Sequence, residues 1–287
     1  MNVNGEKVDI VTGAFSYTGK YISKVLIAKG HKVKTFTNHF NEVKVFSPDI
    51  EANAYNFKNP NKMMEVMKGA NHFYNTYWIR FNYKKENFTK AIENSKILID
   101  IAKAAGIKKI IHISITNCSR DSKFEYFKGK AIIEEYIKDS GLDYVILRPS
   151  VIFGREDILI NNIAFFLRYF PFFFVFGKGD YLIRPIFVED FAQMAVESAE
   201  KFSKNIFNVV GKESYKYIDM IRLIKNSIKS KSIIFNMPPK ICLLFTKIVG
   251  FFLKDEVITM EEIYSLMENL LFVREGIFGN TKLSEWV

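Results

Sequence analysis

The sequence predicts an α/β fold, a doubly wound parallel sheet (Rossmann fold) with a smaller C-terminal α+β lobe. Three observations carry this: a glycine loop directly follows the first apolar run, strand-like runs alternate with helical periods up to Pro149, and the rhythm breaks afterwards. Val8–Thr12 (VDIVT) is short and apolar, as a buried parallel strand must be. Thr18–Lys29 has helical spacing and Gly30 stops it. Val33–Thr37 is a second strand and Ala52–Phe57 a third. Asn59-Pro60 opens a helix through Lys68, since proline fits the first helical turn. Asn71–Thr76 is the fourth strand, a long helix runs from about Lys85 to Ala105 and ends at Gly106, and Lys109–Ser114 is the fifth strand. The next helix carries Tyr126 to Lys138, and Asp143–Leu147 is a sixth strand closed by Arg148-Pro149. Right-handed crossovers then place helices on both sheet faces. Residues 1–150 form one expected domain; residues 151–287 form a smaller lobe interlocked with it, with strands at Ile183–Phe187, Ile206–Val210 and Ser232–Asn236.

With 48% hydrophobic and 25% charged residues, 287 residues bury a sizeable core and are incompatible with a disordered chain. Cys118 and Cys242 lie far apart and match no metal-ligand spacing, so neither zinc nor a disulfide framework is expected, and a reducing, cytoplasmic compartment fits. The N-terminus meets charge before any long apolar run, unlike a signal peptide. Forty-one Lys and Arg against thirty-one Asp and Glu give a formal charge of +10, a bias towards anionic ligands or surfaces. No nucleic-acid motif accompanies it, and nucleic acid is not expected as a partner. Ile241–Leu253 is interrupted by Lys247 and too short to span a bilayer, which takes about 20 apolar residues.

Between the first strand and its helix lies Gly13-Ala14-Phe15-Ser16-Tyr17-Thr18-Gly19, a loop with glycine at both ends and Ser16 where a middle glycine is usual. A pyrophosphate needs a tight turn, close backbone approach and a helix N-terminus, and this context supplies all three. The second strand ends in Thr37-Asn38-His39, without the carboxylate that would bind an adenosine ribose 2′-hydroxyl, so NADP(H) is favoured over NAD(H). Asn38 and His39 read equally well as a polar turn. Asn56, ending the third strand, lies where the adenine is expected.

Tyr126 and Lys130 stand four apart on a helix, on one face, where a cation beside a phenol favours phenolate. Ser114 or Thr116 can hold the same substrate oxygen. Together the glycine loop, Ser114 followed by Tyr126-xxx-Lys130, LRPSVIFG (147–154) and RPIFVEDFA (184–192) resemble the short-chain dehydrogenase/reductase superfamily, in its extended and atypical epimerase/dehydratase-like branch. YNTYWIRF (74–81), EYFKGKAIIEE (125–135) and TKLSEW (281–286) resemble a subgroup related to the nucleotide-binding accessory subunit of respiratory complex I. The resemblance implies Ser16, Tyr17 and Thr18 at the pyrophosphate, Asn75 and Thr76 beside the cofactor, and Lys130 on the nicotinamide ribose. It also implies Tyr126 as general acid/base with Ser114, Pro149 and Val151 flanking the nicotinamide, and Asp190 anchoring the small lobe. The interval Ile115–Glu125 is shorter than extended members carry, and the register of Ser114 departs from theirs.

His31, His39, His72 and His112 are unclustered, and no metal is expected. Phe170–Phe176 reads as core or substrate-pocket wall in preference to a membrane-facing surface. The expected activity is hydride transfer between a nicotinamide and a carbonyl or hydroxyl carbon of an apolar or extended substrate. The rival is a non-catalytic NAD(P)H-binding accessory or assembly factor peripherally attached at a membrane complex, on the strength of the charge, the aromatic run and Ile241–Leu253 between Lys240 and Lys254.

Overall fold

The computed structural model describes residues 7–38, 49–82, 86–242 and 258–287. His39, Lys85, Lys247, Lys254 and most of Ile241–Leu253 lie outside those residues. The first half of the chain runs β1 (Val8–Thr12), α1 (Tyr17–Ala28), β2 (Lys32–Thr37), β3 (Ile50–Ala54), α2 (Pro60–Met67), β4 (His72–Asn75), α3 (Phe88–Ala104), β5 (Lys109–Ile113), α4 (Glu125–Asp139) and β6 (Asp143–Pro149). The second runs β7 (Ile152–Phe153), α5 (Leu159–Tyr169), β8 (Phe172–Phe176), β9 (Leu182–Ile183), β10 (Ile186–Phe187), α6 (Val188–Lys201), β11 (Asn205–Val210), β12 (Tyr215–Lys216), α7 (Tyr217–Ser227), β13 (Ile233–Met237), α8 (Met260–Met267), β14 (Ile277–Phe278) and α9 (Leu283–Trp286).

The central sheet has eight strands in the order β14-β11-β6-β5-β4-β1-β2-β3. β1 pairs in parallel with both β2 and β4, and β4, β5 and β6 continue in parallel. The fold is thus the expected doubly wound α/β type. From β1 the chain builds outward to β2 and β3 and then returns to β1's other side for β4. The strand order reverses at the β1–β4 step, where open α/β sheets place their ligand crevice beyond the strands' C-terminal ends.

Two compact units divide the chain, one comprising Met1–Arg148 and Val188–Phe207, the other Pro149–Phe187 and Asn208–Val287. The first unit is therefore not the continuous stretch 1–150. Its return segment is held by Lys109, whose ammonium donates to the carbonyls of Ala199 (2.7 Å) and Phe202 (2.6 Å). Its core packs Ile10, Phe36, Phe73, Ile110 and Ile146 of the sheet against Leu98, Ile133 and Ile137 of α3 and α4. Strands buried on both faces explain why VDIVT and KIIHI lack an alternating pattern.

The second unit has its own core of Phe153, Ile163, Leu167, Val175, Ile183, Tyr217, Ile221 and Ile263. Asp157 starts α5 by accepting from the Ile160 amide at 2.6 Å. The single strand expected over Ile183–Phe187 is two, β9 and β10, because Pro185 has no N–H for a ladder and the Arg184 carbonyl is taken by the Ser150 hydroxyl. The third strand also lies two to three residues earlier than expected. Tyr55 and Phe57 leave it to stack on one another, centroids 5.3 Å apart, beside Tyr77. The aromatic run 170–176 does not form a uniformly buried wall: in β8 Phe173, Val175 and Phe176 are buried, Phe174 is half-buried and Phe172 is exposed.

Candidate functional site

Gly13 and Gly19 make the loop's tight geometry possible. Gly13 has φ +65°, a conformation L side chains rarely adopt, and turns the chain sharply off β1. A Cβ on Gly19 would stand 2.2 Å from the Gly13 carbonyl oxygen and 2.9 Å from that of Thr12, so only glycine lets α1 come this close to the turn. The Thr35 hydroxyl fixes the turn from β2, donating to the Val11 carbonyl at 2.6 Å and accepting from the Ala14 amide at 3.0 Å. Ser16 is exposed at the N-cap, its side chain makes no capping bond, and the first turn of α1 contains no acidic residue. The positive end of α1 is thereby open to an anion. Phe15, Tyr17 and Thr18 are partly exposed around it. A cradle that a single methyl group would fill, set at the N-terminus of α1, fits a dinucleotide pyrophosphate.

Across the switch point, β4 is clasped to β1. The Thr76 amide donates to the Thr12 hydroxyl at 2.8 Å, and the Thr76 hydroxyl donates to the Thr12 carbonyl at 2.5 Å. Buried Asn75 accepts from the Tyr77 amide at 3.1 Å and meets His112 Nδ1 at 3.2 Å. Both Asn75 and Thr76 thus shape the crevice wall through internal bonds. Burial holds His112 well below the ordinary imidazole range, with the nearby Lys130 cation adding to the effect.

α4 carries Tyr126, Lys130 and Glu134 at four-residue steps, one above another. Lys130 is buried, donating to the Ile113 carbonyl at 2.7 Å, with its ammonium 4.8 Å from the centre of the Trp78 ring. Burial lowers its pKa to about 7, opposed by the nearby Glu134 carboxylate. Trp78 also meets Tyr126 edge to face at 6.0 Å, and Phe88 flanks the same phenol at 5.9 Å. A Cβ on Gly129 would come within 2.8 Å of the Trp78 ring, so this glycine makes room for the indole.

One turn further along α4, buried Glu134 receives a two-point contact from Arg148, Nε at 2.8 Å and Nη2 at 2.5 Å, and the Cys118 thiol at 3.0 Å. Burial opposes its ionisation, but hydrogen bonds from Arg148, Cys118 and Ser114 outweigh that and hold the carboxyl below its ordinary range. The same burial, reinforced by Glu134, pushes the Cys118 thiol up to about 12, so it stays protonated. Ser114 is buried nearby, with Cys118 Sγ 3.8 Å from its hydroxyl.

Asn38 stands exposed immediately after β2. Asn56 turns its carbonyl oxygen to the Asn59 amide at 3.0 Å, at the entry to α2. Pro149 and Val151 open the second unit, where Val151 packs on that unit's core. Sequence reasoning missed the Trp78 contact and the Glu134–Arg148 pair, although both lie inside the quoted segments YNTYWIRF, EYFKGKAIIEE and LRPSVIFG; partners 14 to 52 residues apart leave no periodic signal.

Residues 13–158 match the model of the family described as NAD(P)H-binding. Among curated proteins, the mitochondrial NADH dehydrogenase [ubiquinone] 1 alpha subcomplex subunit 9 of Dictyostelium discoideum is 24% identical over 228 residues, 75% of this chain and 63% of that protein. The chain thus spans less than two thirds of that relative. The photosystem II assembly factor Ycf39 of Cyanidium caldarium is 22% identical, covering 85% of this chain and 78% of its own. Among solved structures, the NADPH-dependent quinone oxidoreductase QOR2 of Escherichia coli, complexed with NADPH, superposes with a TM-score of 0.77 at 16% identity, covering 97% of this chain and 98% of that one. These similarities agree with the resemblance to reductase-type and complex I accessory proteins drawn from the motifs.

Proposed function

Since the chain belongs to the NAD(P)H-binding family, we propose that it holds a nicotinamide dinucleotide across Gly13–Gly19 and uses it as an oxidoreductase on a carbonyl or hydroxyl substrate. The observation that carries the binding half is the contact of Gly19 with the Gly13 carbonyl, which brings the open N-terminus of α1 against the turn. NADP(H) is the proposed form, supported by exposed Asn38 where an NAD-binding carboxylate would stand. A bound nicotinamide supplies or accepts the hydride. Tyr126 exchanges the proton at the substrate oxygen, and Lys130, on the same face of α4, orients the ribose. Pro149 and Val151 flank the nicotinamide, and an apolar or extended small molecule is the proposed substrate.

One observation favours a second reading. The buried Ser114 hydroxyl meets the Cys118 thiol at 3.8 Å, which itself donates to Glu134, and this suits a protein that binds the dinucleotide without turnover, as an accessory or assembly factor at a membrane complex in a reducing compartment. Calorimetric titration with NADPH and NADH, followed by a carbonyl and quinone panel, separates the readings. Tight NADPH binding with turnover that falls about 10²–10⁴-fold in Tyr126→Phe supports the enzyme. Binding without turnover supports the accessory factor, and no binding of either dinucleotide at millimolar concentration removes both.

A further inference from the structure

In the second unit, β8 and β13 form a separate two-stranded parallel ribbon, in register Ile233↔Phe172, Ile234↔Phe173, Phe235↔Phe174 and Asn236↔Val175. The inner face sends Phe173 and Val175 into the core with Ile234 beside them. Alternation then calls for polar side chains on the outer face. It carries Phe172, Ile233 and Phe235 instead, with Phe174 partly buried against the core. Phe172 is 47% exposed, Ile233 52% and Phe235 43%, and the Phe235 ring packs at a tilt on Phe172 (5.5 Å) and Phe174 (6.5 Å). Tyr169 and Phe170, at the end of α5, are exposed immediately before β8. Contiguous exposed aromatics of this kind mark an interaction surface.

The charge around the ribbon selects the partner. Residues 158–179, which include β8, contain no acidic residue and carry Arg168 and Lys178; residues 220–242, which include β13, contain none either and carry Arg222, Lys225, Lys229, Lys231 and Lys240. Arg168, Lys229 and Lys231 are exposed at the entries to the two strands. A second copy would bring the same positive charge against itself. We propose that the outer face of the β8–β13 ribbon docks on an anionic lipid surface, Phe172, Ile233 and Phe235 entering the acyl boundary while Arg168, Lys229 and Lys231 meet the headgroups. This goes beyond the nicotinamide reading and uses none of its residues, so either can fail alone.

The test is co-sedimentation of the full chain with vesicles of phosphatidylcholine alone or mixed equally with phosphatidylglycerol. The chain should pellet with the anionic vesicles at low salt and less at high salt. Phe172→Ser/Phe235→Ser should weaken binding at least about tenfold while NADPH binding, read by calorimetry, stays intact. Lys229→Glu/Lys231→Glu, which leaves the core untouched, should abolish the salt-sensitive part. Equal pelleting with neutral vesicles, a chain that stays in solution with anionic ones, or unchanged binding by both variants overturns the proposal. So does a solution dimer that the serine variant dissociates, which would make the ribbon a contact between copies.

Discussion

Gly19 and Gly106 look alike in sequence, and each was legible as a boundary, yet they do different work. Gly106 has φ +79° with open space where a Cβ would go, so Gly106→Ala meets backbone strain alone, of order 1 kcal/mol. Gly19→Ala drives a methyl group into the Gly13 carbonyl, and neighbouring backbone cannot yield as a flexible side chain can. It should cost about 1–3 kcal/mol and weaken NADPH binding at least tenfold. Urea melts and titrations of the two variants side by side check this; equal effects on binding would show that the close approach is irrelevant to the ligand. Lys130 gives a second prediction at this scale. Its pKa is about 7 in the fold against 10.5 in the free side chain, so between those values the unfolded chain holds a proton that the native one has released. Stability therefore rises with pH across that window, and the cost of a buried ammonium is fully present below about pH 7. Lys130→Met should abolish this rise, measured as the difference in urea midpoint between variant and parent at pH 6.5 and pH 10.

At the scale of elements, helices and strands were legible wherever a glycine or proline punctuated a periodic run, as at Gly30, Pro60 and Gly106. They were misplaced where a long-range contact decided the outcome. Tyr55 and Phe57 read as strand but stack beside Tyr77, which arrives from the loop after β4. FPFFFVF reads as one apolar block because its pattern does not reveal which face meets a core. The site divides the same way: the glycine loop is local and was readable, whereas the destinations of Ser114 and Lys130 depend on Glu134 and Trp78 and were not. α4 is fastened to the sheet by Glu134, so Arg148→Met would leave a carboxylate buried with its principal partner gone. The expected loss is about 3 kcal/mol, the low end for a buried pair because Arg148 keeps some contact with water. A variant whose urea midpoint is unchanged would mean that Ser114 and Cys118 suffice to hold the carboxylate.

At the scale of the whole molecule, the chain contains only two tryptophans, and each unit has one. Trp286 sits among Phe153 and Phe187 of the second unit, while Trp78 lies over Lys130 in the first. The sequence has therefore labelled each unit with a single intrinsic fluorophore. Trp286→Phe leaves an emission that follows the first unit alone, and Trp78→Phe one that follows the second. Saturating NADPH should raise the melting midpoint seen through Trp78 by several degrees, as expected for a ligand present at about 100 times its Kd. NADPH also absorbs where indole emits, so light taken up by Trp78 should pass to a dinucleotide bound beside Lys130 and reappear as nicotinamide fluorescence. An optical distance gauge is thus built into the side chain that covers the lysine.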